Sequence, residues 1–182
     1  CPGRSVSWCL RGEQPRAKVE ERAAIVAGVG WYSHVRAAVP QSDTNVLAAG
    51  LLTSHADSPV ARILDGMLGA AFPFVLSEAL LAEYRAVLMR PRLAKLHGLS
   101  EAEIDVILVD IARHAIVLAP VRTQATPLAP DPGDQFLGDL LASRADLVLV
   151  SGDQLLQNHA PMQPRVISPQ TFAAQIQHYN AI

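Results

Sequence analysis

The sequence predicts an α/β fold, a three-layer α/β/α sandwich around a central, mostly parallel sheet. Short runs that are apolar throughout alternate along the chain with segments whose apolar residues recur at helical spacing. Strands that are apolar on both faces are typical of parallel sheets covered by helices on each side. Half of the 182 residues are hydrophobic, enough for one well-formed core. In such folds, functional groups are expected beyond the carboxyl ends of the strands.

The first half of the predicted domain alternates strand and helix. The first strand is expected to end at Val39 or to bulge, because Pro40 cannot donate a ladder hydrogen bond. Ser77 has the position of a helix N-cap. In chain order, the predicted elements are a strand at residues 35–39, helices at 46–52 and 60–68, a strand at 74–76, and a helix that starts after residue 77 and ends before residue 91.

The second half continues the alternation. Ser100 and Glu103 form the pattern of a capping box at the start of a helix. Asp131 before a proline is typical of a helix start, and residues 147–150 give the strongest strand signal of the chain. The remaining predicted elements are an extended run at 115–118, a loop at 123–130, a strand at 165–167 and a last helix from 168 to 176.

Composition bounds the class of protein. The formal net charge is −2, so nucleic-acid binding would depend on local positive charge. The two cysteines, Cys1 and Cys9, leave the rest of the chain without a disulfide framework, which favours a reducing cytoplasm. No membrane anchor is predicted. Residues 1–36 are interpreted as an N-terminal extension, poorly ordered or partly helical, and residues 37–182 as one domain.

Two acids follow predicted strands. Asp43 comes after the first strand and Asp153 after residues 147–150, so parallel strands would bring them to one edge of the sheet. Glu83 lies in mid-helix beside the apolar face, where no capping or dipole role explains it. Asp131 and Asp134 both have local explanations as acids at a helix start. Asp134 is preferred for the site because it falls near the edge of the apolar face, whereas Asp139 points further away.

Five segments together resemble a PIN domain, and most closely the PIN-family toxin component of bacterial toxin–antitoxin operons. The resemblance covers residues 35–172. In order, the segments are Asp43-Thr44-Asn45-Val46-Leu47, Leu76-Ser77-Glu78-Ala79-Leu80-Leu81-Ala82-Glu83-Tyr84, Arg90-Pro91-Arg92-Leu93, Asp131-Pro132-Gly133-Asp134-Gln135-Phe136-Leu137 and Ala145-Asp146-Leu147-Val148-Leu149-Val150-Ser151-Gly152-Asp153.

The resemblance implies a five-stranded parallel sheet, Mg²⁺- or Mn²⁺-dependent ribonuclease activity that leaves a 5′-phosphate and a 3′-hydroxyl, neutralisation by an antitoxin protein, and homodimers. It also implies that Asn45 and Asp131 support the site. An all-carboxylate set suits these hard cations rather than Zn²⁺. The catalytic and metal-binding acids that the resemblance implies are Asp43, Glu83, Asp134 and Asp153.

A basic run beside the Glu83 helix is the candidate RNA-binding surface, since phosphate contacts require only local positive charge. An ordinary solvated surface explains the same run equally well. The run consists of Arg85, Arg90, Arg92, Lys95 and His97.

Two other functions stay open. The first is a PIN domain that binds RNA or a protein partner without cutting, which the irregular first strand favours. The second is a phosphate-transfer domain with Asp43 as nucleophile; against it, no aspartate follows two residues later and no lysine stands at the end of a later strand.

Overall fold

The structure is a computed structural model that describes residues 39–42, 44–120, 122, 126 and 128–179. The predicted extension, residues 1–36, and Asp43 lie outside the described residues. In the described part the chain is an α/β protein, mostly helical with a few short strands. Every strand pairing there is parallel, as the apolar runs predict.

Five strands are described: β1 (Val39–Ser42), β2 (Val75–Leu76), β3 (Ile116–Val117), β4 (Leu147–Val150) and β5 (Val166–Ile167). They form a three-stranded sheet in the order β1-β4-β5 and a two-stranded sheet of β2 and β3. β1 also contacts β2, although no hydrogen-bonded ladder joins these two described strands.

The first strand differs from its prediction. β1 does not end at Val39 but continues through Pro40 to Ser42, and Pro40 lies opposite Val148 of β4 in an unbroken register. Parallel pairing with β4 therefore tolerates the proline. Pro40 has no backbone N–H to donate to a neighbouring strand. The described part of β1 forms a hydrogen-bonded ladder with β4 alone.

Eight α-helices are described besides the strands. None of them is long and apolar enough to span a membrane. In chain order they are α1 (Thr44–Leu52), α2 (Pro59–Leu68), α3 (Glu78–Leu88), α4 (Pro91–His97), α5 (Glu101–His114), α6 (Gln135–Ala142), α7 (Gln154–Asn158) and α8 (Pro169–Tyr179).

Local capping signals set several helix boundaries. The Ser77 hydroxyl accepts a hydrogen bond from the Leu80 N–H at 3.2 Å, which starts α3 where predicted. Ser100 and Glu103 form the predicted capping box of α5. The helix α4 was not predicted, although Gly98, with φ of 66°, ends it in the left-handed conformation typical of a glycine C-cap.

One apolar core lies between the helices and the strands. Phe72 links α8 to the segment before β2, because its ring makes edge contacts with Phe74 and Phe172 at 6.2 Å and 5.1 Å between centroids. Gly66 of α2 leaves room for that ring, since a Cβ there would lie 2.4 Å from Phe72 Cε1. Among the fully buried side chains are Leu47, Ile63, Leu64, Leu80, Tyr84, Ile104, Ile107, Ile111, Leu137, Leu140, Leu147 and Leu149.

Candidate active site

The parallel pairing of β1 and β4 positions the candidate site. Ser42 is the register partner of Val150, so the two strands end at the same edge of the sheet. α1 begins at Thr44, whose side chain is buried, and α7 begins at Gln154. The sequence predicted one catalytic acid after each strand. Asp43, the first of them, lies outside the described residues, and Asp153 lies in the turn after β4.

A network of hydrogen bonds fixes Asp153. Its N–H donates to the hydroxyl of buried Ser151 at 3.0 Å, and its Oδ1 accepts from the Leu155 N–H at 2.7 Å. The Ser151 N–H donates to the Ile167 carbonyl of β5, and the Gln157 amide donates to the Ser151 carbonyl at 2.7 Å. Asp153 thus caps α7 with one carboxylate oxygen, and its backbone is anchored to the sheet.

Asp131 and Asp134 have different roles in the turn before α6. Asp131 Oδ1 accepts from the Gly133 N–H at 2.8 Å, so this side chain caps the 3₁₀ turn Pro132–Asp134. Asp134 occupies the N-cap position of α6, yet its side chain makes no capping hydrogen bond there. Capping therefore explains Asp131, whereas the Asp134 side chain does not cap α6, and the place of Asp134 in the site stays a prediction.

Two side chains that the sequence analysis passed over hold the Asp134 turn in place. Gln135 is buried, and its Oε1 accepts from the Ala129 N–H at 3.0 Å. His159, just after α7, bonds through Nε2 to the Leu128 carbonyl at 2.7 Å. A carbonyl oxygen only accepts, so Nε2 carries the hydrogen. His159 therefore ties the segment leading to Asp134 to the segment that begins at Asp153.

Glu83 is the sixth of the eleven residues of α3, and 37% of its side chain is exposed. Arg90, the residue before α4, reaches back to it, with Nη2 3.4 Å from Glu83 Oε1. A predicted metal ligand and a predicted RNA-binding residue therefore form an ion pair with each other.

Arg85, on the same helix, has partners on α5. Its Nε donates to Asp105 Oδ1 at 2.8 Å, and its Nη2 also bonds to Glu101. The hydrogen bond from Arg85 lowers the pKa of Asp105, and the two carboxylates, Asp105 foremost, raise the pKa of Arg85. Arg85 thus joins α3 to α5, with less of its charge available to a phosphate than the sequence alone suggested.

The rest of the basic run lies on α4. Arg92 and Lys95 are exposed, and neither forms an ion pair with another described residue. His97 is different, because its Nδ1 accepts from the Leu99 N–H at 3.0 Å while Nε2 bonds to the Leu88 carbonyl at 2.9 Å. Both ring nitrogens of His97 are therefore hydrogen-bonded to the backbone, and the side chain is part of the α4 junction.

Metal binding depends on which acids come together. The predicted ligands are all carboxylates, and this donor chemistry fits Mg²⁺ or Mn²⁺. Among the described residues, which exclude Asp43, no three acidic, histidine or cysteine side chains form a group able to hold a metal ion. Convergence of the four acids therefore stays a prediction. Asn45, the other proposed helper, is exposed in the first turn of α1.

Parallel strands, a majority of helix and an acid after β4 define an α/β protein with a polar side chain at the end of a strand. A comparison with protein families identifies the class further: the family described as PIN domain matches residues 42–155, well over half of the chain. The chain belongs to the PIN domain family. Neither the curated proteins nor the solved structures contain a match.

Family membership has direct consequences for the site. PIN domains are generally nucleases, which supports a hydrolase, and they usually use divalent metal ions. The matched range includes all four predicted acids, Asp43, Glu83, Asp134 and Asp153. Membership of the PIN domain family also argues against the alternative function, a phosphate-transfer domain with Asp43 as nucleophile.

Proposed function

We propose that the chain is a Mg²⁺- or Mn²⁺-dependent endoribonuclease and the toxin component of a toxin–antitoxin pair. The observation that carries the proposal is the parallel register of Ser42 with Val150, since it directs the ends of β1 and β4 to one edge. The matched PIN range, which spans all four predicted acids, supports it.

We also infer that the described strands belong to one five-stranded sheet in the order β3-β2-β1-β4-β5, between two layers of helices. The contact of β1 with β2 supports this order, because it places the two described sheets side by side. α3, which follows β2 and carries Glu83, then starts from the same edge as the turn that holds Asp153.

Asp43, Glu83, Asp134 and Asp153 would hold the metal, with Asn45 and Asp131 in support. A divalent ion bound by carboxylates lowers the pKa of a water molecule and stabilises charge on a phosphodiester. Other residues of the chain hold these acids in position. Ser151 and the α7 cap fix Asp153, and the His159 bond fixes the segment that leads to Asp134.

RNA would approach over α4. Arg92 and Lys95 are exposed there, and Arg90, which precedes α4, pairs with Glu83. Positive side chains close to an acidic edge allow a net-acidic protein to hold a polyanion locally. Arg85 on α3 adds to this positive surface, although it also forms ion pairs with Glu101 and Asp105.

We propose a homodimer in which α5 of one copy packs antiparallel on α5 of the other. Val106 and Val109 are half exposed, at 47% and 51%, on one face of α5. The helix has Glu101 and Glu103 in its first turn and Arg113 and His114 in its last. Antiparallel packing sets acidic ends against basic ends and opposes the helix dipoles. A cognate antitoxin in the same cytoplasm would complete the system.

The direct test is cleavage of end-labelled RNA by the purified full chain. Activity that requires Mg²⁺ or Mn²⁺, stops with chelator, leaves 5′-phosphate ends and is lost in Asp43→Asn supports the proposal. Cleavage that persists in excess chelator, or in Asp43→Asn, contradicts it.

A second candidate is a PIN domain that binds RNA or a protein partner without cutting. The Arg90–Glu83 ion pair favours it, because the guanidinium occupies a carboxylate that the metal would need. Tight RNA binding without cleavage at any divalent metal concentration would select this candidate.

A further inference from the structure

The ion pair between Glu83 and Arg90 joins two groups that the proposed reaction needs separately. Arg90 Nη2 lies 3.4 Å from Glu83 Oε1, and 62% of the Arg90 side chain is exposed. The Arg90 backbone is held at both ends, since its N–H donates to the Val87 carbonyl and its carbonyl accepts from the Ala94 N–H. A change of partner by the guanidinium therefore requires movement of the side chain only and leaves these backbone bonds intact.

A divalent cation and a guanidinium compete for the same carboxylate. Arginine keeps its charge at any physiological pH, so the conflict cannot be relieved by losing a proton. A cation bound at Glu83 would both displace Arg90 and repel it. The released guanidinium has the planar donor geometry that binds phosphate oxygens in pairs.

We propose that Arg90 is an internal counter-ion of the metal site: it neutralises Glu83 while the metal is absent and moves to an RNA phosphate when the metal binds. This inference rests on the proposed function. The coupling is reciprocal, so an RNA phosphate that draws Arg90 away makes Glu83 a better metal ligand, and metal makes Arg90 a better phosphate ligand. Arg90 would thus act on the metal through Glu83 and on RNA directly.

The size of the effect follows from the exposure of the pair. Ion pairs between exposed side chains are weak, so removing Arg90 is expected to tighten metal binding by about fivefold or less. Long-range loss of positive charge would also tighten binding, but it would do so for any nearby arginine. Arg92, two residues further along the chain and without an ion pair to a described residue, is the matched control.

The experiment is a Mn²⁺ titration of the full chain, followed by electron paramagnetic resonance of the free ion, without RNA. Arg90→Gln is expected to bind Mn²⁺ a few times more tightly than wild type, by about fivefold at most, and more tightly than Arg92→Gln. Equal affinities for Arg90→Gln and Arg92→Gln would overturn the proposal.

The Glu83→Gln background separates this inference from the proposed function. There the Arg90→Gln effect is expected to shrink to that of Arg92→Gln, because the oxygen that Arg90 neutralises is no longer charged and only the long-range loss of charge remains. An Arg90→Gln effect that stays larger than the Arg92→Gln effect would show that Arg90 does not act through Glu83. No Mn²⁺ binding by wild type at millimolar concentration would instead refute the metal dependence itself, and the counter-ion role with it.

Discussion

Ser42 and Val150 are register partners in the parallel ladder of β1 and β4. The finding matters because each is the last residue of its strand. The chain after Val150 turns through buried Ser151 to Asp153, which caps α7. Asp153 is therefore anchored at the same edge of the sheet where the sequence predicts Asp43.

His159 provides the first prediction. Replacing it with alanine removes the donor to the Leu128 carbonyl and frees the segment before Asp134. A net hydrogen bond of about 1 kcal/mol corresponds to a loss of about fivefold in cleavage rate or metal affinity. His159→Gln, whose amide keeps a donor near the Nε2 position, is expected to restore most of it. Equal losses in both variants, measured by Mn²⁺ titration, would contradict the positioning role.

The second prediction concerns RNA binding over α4. Arg92→Gln combined with Lys95→Gln is expected to lower the slope of log affinity against log salt by about 1.4, since each phosphate contact on a single strand contributes about 0.7. Arg144→Gln is the control, because Arg144 precedes β4 at the opposite end from the acidic turn and pairs with Asp146. A salt slope that is unchanged in the double variant would show that α4 is only solvated surface.

The third prediction concerns assembly. Aspartate at both Val106 and Val109 would bury charge in the proposed α5 contact, and the dimer dissociation constant is expected to rise by at least about tenfold. Sedimentation equilibrium measures this directly. Leu155→Asp alters a leucine of α7 that is 68% exposed, and it is expected to leave the association unchanged. A double variant that stays as dimeric as wild type would exclude this face.

The fourth prediction concerns acid stability. The Arg85 hydrogen bond lowers the pKa of Asp105 in the folded state, and the Ser100 cap lowers the pKa of Glu103. A lowered folded pKa stabilises the protein above the unfolded pKa, and this contribution is lost as pH falls through the folded value. The unfolding free energy is therefore expected to fall as pH is lowered below about 4.

Urea unfolding at pH 6 and pH 3 tests that expectation. Arg85→Gln removes the main cause of the Asp105 shift, so the difference in unfolding free energy between the two pH values should shrink in this variant. Arg92→Gln removes the same charge from a position without a described ion pair. If both variants keep the wild-type difference, the Asp105 pair does not contribute to acid sensitivity.

Local signals in the sequence predicted much of the fold. Residues 147–150 form a strand with the predicted bounds, and the Ser77 cap and the Ser100–Glu103 capping box start helices as predicted. These features depend on residues within four positions of each other, so sequence alone contains them. The order of five short segments along the sequence also predicted a PIN domain, and the family match confirms that prediction.

Non-local contacts caused the differences. The proline rule predicted an early end for β1, but pairing with β4, far along the chain, extends the strand to Ser42. Pro91 was interpreted as the end of a helix, whereas it also starts α4. The partners of Arg85 lie on another helix, and the His159 bond spans 31 positions. No spacing in the sequence reveals such pairs.

The central claim is that Asp153, after β4, is one of the catalytic acids, whereas Asp131, which caps the turn before α6, is not. The measurement is the single-turnover rate of RNA cleavage with Mn²⁺ for Asp153→Asn and Asp131→Asn, with unfolding monitored alongside. Asparagine retains a capping oxygen at both positions. We predict a loss of at least about a hundredfold for Asp153→Asn, because losing a metal ligand should cost more than losing a group that supports one. The loss for Asp131→Asn is expected to be less than about tenfold, because asparagine keeps the capping oxygen through which Asp131 supports the site. Equal rates for folded Asp153→Asn and wild type would contradict the account.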